Sequence, residues 1–228
     1  MNTRFITVDD AIPHPISTQT FLSTPLSNEE LNEVLEDAQL SPLHNNTQPW
    51  NVHIVSGHKK EELEKLIITN NLNNLQFSDL SMSYHNTSND YHRRSQEQIR
   101  LYSEILGKVP THENPQKIKA DYLKNYQFFN APHVAFLFMP TFGDHLRIAS
   151  DLGMYAQSLL LSLNTHGYTG ISQTILKSHA EIIKKLLGIS DDFQLLFGIA
   201  FGYVNSHGPI SNIYMPRLTV EESITFHH

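Results

Sequence analysis

Between Asp144 and His166 the chain carries a helical pattern that is apolar around most of its circumference, with Ile148, Leu152, Tyr155, Ala156, Leu159, Leu160 and Leu163 inside it. An ordinary surface helix hides one apolar stripe, so a helix that is apolar on more than one side needs two partners. Its own sheet is one candidate, and a second subunit is an example of the other. Arg147, Asp151 and Gln157 interrupt the apolar segment and make it too polar for a membrane span. The segment therefore reads as a helix of a soluble fold that must be covered on both sides.

The partners are legible in outline. Residues 51–56, 134–139, 169–174 and 193–204 read as strands, and the second and fourth are nearly continuous apolar runs. Ser27 and Glu30 form a capping box that opens a helix with Leu31, Val34, Leu35 and Ala38 on one face, ending near Pro42. Further helices are expected over about 59–72, with Leu63, Leu66 and Ile67 inward, and over 91–106, with Ile99, Tyr102, Ile105 and Leu106 on one side. Another is expected over 114–130, where Ile118, Tyr122 and Phe129 are core candidates. Ser178 and Glu181 read as a second capping box, for a helix that stops at Gly188. Residues 1–26, broken by Pro13, Pro15 and Pro25, form an irregular arm. Residues 73–90, rich in Asn, Ser and Asp, read as a long excursion and a candidate substrate lid. Residues 206–228 lack an amphipathic period and are expected to lie across another surface. With no internal repeat and no linker, residues 1–228 are read as a single domain.

Composition narrows the function. A formal charge of −7 gives no electrostatic reason to expect nucleic acid or an anionic membrane as partner. The absence of cysteine removes disulfides, thiolate nucleophiles and Cys-ligated metals together. Fourteen histidines invite a metal reading, but none falls in a His-Glu-x-x-His pattern or joins a carboxylate cluster at ligand spacing. No Gly-x-Ser-x-Gly elbow, Walker loop or Gly-x-Gly-x-x-Gly fingerprint is present. No catalytic side chain and no metal ligand are therefore assigned, and chemistry carried by a cofactor remains. The start of the chain lacks the apolar core of a signal peptide, so a cytoplasmic protein is expected.

The polar stretch from Ser41 to Val55 holds the only Trp, and Pro42 and Pro49 stiffen it. His44, Asn45, Asn46, Thr47, Gln48 and Asn51 can all donate or accept hydrogen bonds, which suits the edge of a flat polar ligand. Asn46-Thr47-Gln48-Pro49-Trp50 matches a motif of the FMN-dependent nitroreductase family, and the likeness runs in family order from about Pro15 to Glu222. Asp151–Leu161 resembles the family's central dimer helix, and Gly167–Gln173 resembles the segment that passes the flavin ring. Gly198–Tyr203 is similar to its Gly-x-Ala-x-Gly-Tyr strand, and Met215–Leu218 to its C-terminal arginine segment.

The resemblance implies an α+β, nitroreductase-like fold, with a central, mostly antiparallel sheet flanked by helices, in an intertwined homodimer whose tails cross to the partner. It also implies FMN as cofactor, NAD(P)H as reductant, and ping-pong reduction of a small-molecule acceptor such as a nitroaromatic or a quinone. Ser17, Gln19 and Arg217 would then face the flavin phosphate. His44, Asn45, Asn46 and Gln48 would meet the ribityl chain and ring edge, and Ile171, Ser172 and Gln173 would line the ring. Pro15 and Gln19 stand where the family has phosphate-clamping arginines, and Ser172 where it has Pro. Two lost charge-assisted contacts would weaken FMN by roughly 3–6 kcal/mol. A degenerate member with weak or no FMN binding, serving as a small-molecule binding protein, is the alternative.

Overall fold

The computed structural model describes residues 19–74, 89–105, 123–205 and 216–228. Four strands, β1 (Asn51–Ser56), β2 (His133–Pro140), β3 (Thr169–Gln173) and β4 (Phe193–Gly202), form one antiparallel sheet in the order β1-β2-β4-β3. The two apolar runs are the central pair, covered on both faces, which is why their sequences do not alternate. The helices are α1 (Asn28–Gln39), α2 (Gly57–Asn74), α3 (Asn89–Ile105), α4 (His145–Thr165), α5 (Ala180–Leu187) and the single turn α6 (Val220–Ser223). Val134, Phe136 and Phe138 meet Leu63 and Ile67 of α2 and Ile183 of α5 on one face. Ala135, Leu137 and Met139 meet Val34 and Ala38 of α1 and Leu152, Tyr155, Leu159 and Leu163 of α4 on the other. This is the α+β architecture expected.

Two polar groups, the half-buried Glu30 and the buried His133, tie the layers. The expected capping box at Ser27 is present, and Glu30 does more than cap. Its Oε2 accepts from the Ser27 amide at 2.7 Å, while its Oε1 accepts from the hydroxyls of Tyr168 (2.8 Å) and Tyr203 (2.9 Å). The Ser27 amide, then the two tyrosines, hold the Glu30 carboxyl down at about 2 against the opposing effect of burial. At the other tie, the Leu26 amide donates to His133 Nε2 at 2.8 Å, so the neutral ring carries its proton on Nδ1, 2.5 Å from Ser56 Oγ. Burial lowers the His133 pKa, and it lowers those of His53 and His179 too.

Several expectations need correction. The helix expected over 114–130 ends at 126, because Phe128, Phe129 and Asn130 turn left-handed with φ of 50°, 53° and 64°. Adjacent residues of a helix point 100° apart, whereas this turn buries both phenylalanines. Left-handed backbone costs about 1–2 kcal/mol per residue and a buried Phe returns about 1.5–3 kcal/mol. Residues 114–122, with Ile118 and Tyr122, lie outside the described residues. Ser178 does not cap α5: it sits inside the 3₁₀ helix Thr174–His179 and donates to the Ile175 carbonyl instead. An N-cap needs extended backbone, which a 3₁₀ residue lacks. Leu66 is exposed, because the buried stripe of α2 narrows to Leu63 and Ile67, one turn apart. The excursion placed at 73–90 is helical at both ends, where α2 runs to Asn74 and α3 starts at Asn89, and residues 75–88 lie outside the described residues. Strand β4 stops at Gly202, and Val204 pairs singly with Phe21. Along α4 the outer side is mixed rather than wholly apolar: Leu146 and Met154 are exposed beside Ser150, Gly153 and Gln157.

Acid should therefore weaken the fold in two windows. Unfolding frees the three histidines to protonate near 6.5, so stability falls as pH drops below 6.5 toward their lowered folded values. Glu30 adds a second loss as pH falls from 4.5 to about 2. Urea denaturation across pH 7.5 to 3 should show both, and Glu30→Gln should lose about 1–3 kcal/mol at neutral pH. An unchanged slope below pH 4.5 in that variant would contradict the assignment.

Candidate functional site

Between α1 and β1 the chain makes a loop that is costly in backbone energy and firmly tied. Asn45, Asn46 and Gln48 have φ of 51°, 54° and 43°. Asn tolerates the left-handed region, while Gln has no such allowance and costs about 1–2 kcal/mol there. Inside the loop, Thr47 donates to the His44 carbonyl from both its amide (3.2 Å) and its hydroxyl (3.1 Å). The His44 amide donates to Oδ1 of Asp151 at 3.3 Å, and Asp151 is buried on α4. The Trp50 ring lies 5.0 Å from that of Tyr155 on the same helix, and its indole N–H donates to Gln39 Oε1 of α1 at 2.9 Å. His44, Asn45, Asn46, Thr47 and Gln48 are all exposed, so the anchors present a polar edge to the outside. The Gln48 Nε2 to Asn46 Oδ1 bond, at 3.1 Å, joins two side chains of that edge to each other.

The second expected segment is β3. Gly170 lets the strand press against α4, since a Cβ there would meet Leu160 Cδ2 at 2.8 Å. Ile171 packs into the α2–α5 face of the core, Ser172 is exposed, and Gln173 is buried. The Gln173 Nε2 donates to the Asn125 carbonyl at 2.8 Å, while its buried Oε1 accepts from no group among the described residues. Of these three side chains only Ser172 faces outward. Gln19, half-buried, opens the N-terminal segment whose Thr20 carbonyl accepts from the Asn205 amide beyond β4. Arg217 is exposed and lines a cleft with Arg93 and Arg94 of α3. Ser17 lies outside the described residues.

These groups do not all meet within one chain. Strands β1 and β3 are opposite edges of the sheet, with β2 and β4 between them. Ser172 stands in register with Ile199, Ala135 and Ile54, three strand spacings away, about 14 Å. The loop lies beyond Asn51, further along still.

The nitroreductase family model matches residues 16–203. The chain belongs to the nitroreductase family. It is 30% identical over 216 residues to nitroreductase NfnB of Mycolicibacterium smegmatis, spanning 91% of this chain and 87% of that one. It is 26% identical to a 4-nitrobenzoate reductase of Pseudomonas putida, over 87% of this chain and 86% of that one. The crystal structure of the FMN-dependent nitroreductase NfnB from Mycobacterium smegmatis in complex with NADPH superposes with a TM-score of 0.87 at 26% identity, covering 96% of this chain and 97% of that one.

Sequence reading found the loop and missed what holds it. Asp151 was visible as a carboxylate in an apolar helix, which the hydrogen bond to His44 explains, and Tyr155 was counted only as core. Nothing in the order of residues brings Arg217 to Arg93 and Arg94, which line the same cleft.

A residue held in costly backbone at an exposed site is a candidate for function over stability. Gln48→Gly should raise stability by up to about 1 kcal/mol. A Gln48→Gly protein that melts no higher than the parent would show that the loop is unstrained.

Proposed function

We propose that this protein is an FMN-dependent oxidoreductase that uses NAD(P)H to reduce nitroaromatic, quinone or similarly electron-poor acceptors, with the whole chain acting as one domain in a homodimer. The observation that carries the reading is the loop 44–48: five exposed polar residues, three at positive φ, anchored to α1 and α4. The relatives support it, one being described as FMN-dependent and in complex with NADPH and another as a 4-nitrobenzoate reductase.

The donor set suits the cofactor. When bound, FMN would supply the hydride- and electron-transfer chemistry between nicotinamide and acceptor, so no side chain would have to serve as nucleophile. His44, Asn45, Asn46 and Gln48 then supply neutral donors and acceptors to the ribityl chain and ring edge, held in place before the ligand arrives. Along β3, Ile171 and Gln173 offer backbone rather than side chain, and Ser172 offers its hydroxyl. Arg217, with Gln19 and Ser17, serves the phosphate. Because the loop and Ser172 sit at opposite edges of one sheet, a single ring touches both only when they come from different subunits. The outer side of α4, with Leu146 and Met154 exposed, and the exposed segment 216–228 are the surfaces a second copy would cover.

Purified protein should be yellow, with flavin absorbance, and should sediment as a dimer at micromolar concentration. Asn46→Ala combined with Gln48→Ala should weaken FMN roughly 5- to 100-fold in calorimetric titration of the apoprotein, as two neutral hydrogen bonds would. A colourless protein that takes up no FMN would overturn the reading in favour of a binding protein that has lost the cofactor.

A further inference from the structure

The segment 19–26 is fastened to the sheet at both ends, and the inner fastening depends on where a proton sits. Phe21 and Leu26 are buried, while Leu22, Ser23, Thr24 and Pro25 between them are exposed. At the outer end the Leu22 amide donates to the Tyr203 carbonyl at 2.9 Å, and the Asn205 amide donates to the Thr20 carbonyl at 3.1 Å. At the inner end the Leu26 amide donates to Nε2 of His133, the buried residue that opens β2, at 2.8 Å. The ring stacks on Phe201 of β4, with centroids 5.2 Å apart, and its Nδ1 lies 2.5 Å from Ser56 Oγ of β1. Because Nε2 accepts, the neutral ring carries its proton on Nδ1, and a second proton can go only to Nε2. That N–H would face the Leu26 N–H, two donors with no acceptor between them. Turning the ring over gives no escape, since an imidazolium donates from both nitrogens. The charges acting on the ring oppose each other: Lys60 of α2 disfavours the added proton and Glu30 of α1 favours it.

We propose that the hydrogen bond from Leu26 to His133 is an acid-operated latch: a proton taken up at Nε2 breaks it and releases residues 19–26 from the end of the sheet. Latched, the ring resists protonation because burial lowers its pKa; released and wetted, it returns toward the ordinary value of 6.5. The latch therefore holds above pH 6.5. Below that, release is favoured by up to about tenfold for each pH unit, until the latched ring itself titrates. The consequence for the cofactor rests on the function proposed above. Residues 19–26 carry Gln19, which that reading assigns to the FMN phosphate, so release of the segment weakens FMN as the pH falls.

The test is amide hydrogen exchange of the flavin-free protein between pH 7.5 and 5.5, corrected for the intrinsic pH dependence of exchange. In the wild type the Leu22 and Leu26 amides should lose protection by up to about tenfold per pH unit below 6.5, while those of Val134 to Met139 in β2 keep theirs. His133→Gln offers Leu26 an acceptor that does not titrate, and its segment should stay protected at every pH. His133→Phe can still stack on Phe201 but accepts nothing, and its segment should be open at every pH. The FMN dissociation constant should rise over the same range in the wild type and stay level in His133→Gln. Wild-type protection at Leu26 that does not change with pH, or that is lost only together with β2, would overturn the latch even if both variants fail to fold. So would a His133→Gln protein that keeps the wild-type pH dependence. FMN affinity that stays level while the segment opens would overturn its role toward the cofactor. A protein that binds no FMN at any pH would overturn the flavoenzyme reading, and exchange in the flavin-free protein would still decide the latch.

Discussion

The packing of α4 against the sheet is the constraint on which the rest depends. Leu152, Tyr155, Leu159 and Leu163 are fully or almost fully buried on one side of this helix. Burial of each such side chain is worth about 1.5–3 kcal/mol, so the helix cannot rotate without exposing several at once. Fixing α4 fixes Asp151 and Tyr155, and these hold His44 and Trp50 at the two ends of the polar loop. Fixing α4 also fixes β3, because Gly170 admits Leu160 and Leu163 to the strand backbone. One helix therefore positions both candidate ligand-binding segments, and places them far apart.

That separation gives the dimer a chemical meaning. Within a single chain, the loop before β1 and Ser172 on β3 belong to opposite edges of a four-stranded sheet. The Asp151 and Trp50 anchors tie the loop to α4 and α1 on its own side of the sheet. Under the function proposed above, two copies related by a twofold axis would place the loop of one beside β3 of the other, and association would then be a condition for a complete site.

Much of this was legible in the sequence, for identifiable reasons. The buried strands announced themselves because a central strand covered on both faces is apolar at every position, as Val134 to Met139 are. The capping box at Ser27 is a local signal, and it held. The loop was legible because Asn46-Thr47-Gln48-Pro49-Trp50 is a specific string. What escaped were features created by tertiary contact. The left-handed turn at Phe128–Asn130 exists because two adjacent aromatic side chains are both drawn into the core. Ser178 lost its cap role to a 3₁₀ turn that no single residue foretells. Glu30 was read as a cap and is also the acceptor for two tyrosines more than a hundred residues away in the chain. Arg217 joins Arg93 and Arg94 only in three dimensions.

Subunit complementation tests the composite site most directly. One chain carries Asn46→Ala with Gln48→Ala, and the other carries Ser172→Trp, each expected to lose FMN as a homodimer. Co-expressed and separated by different tags, the mixed dimer should regain flavin at one of its two sites, because one intact loop then faces one intact β3. A mixed dimer as colourless as its parents would place the whole site within a single chain and contradict the account.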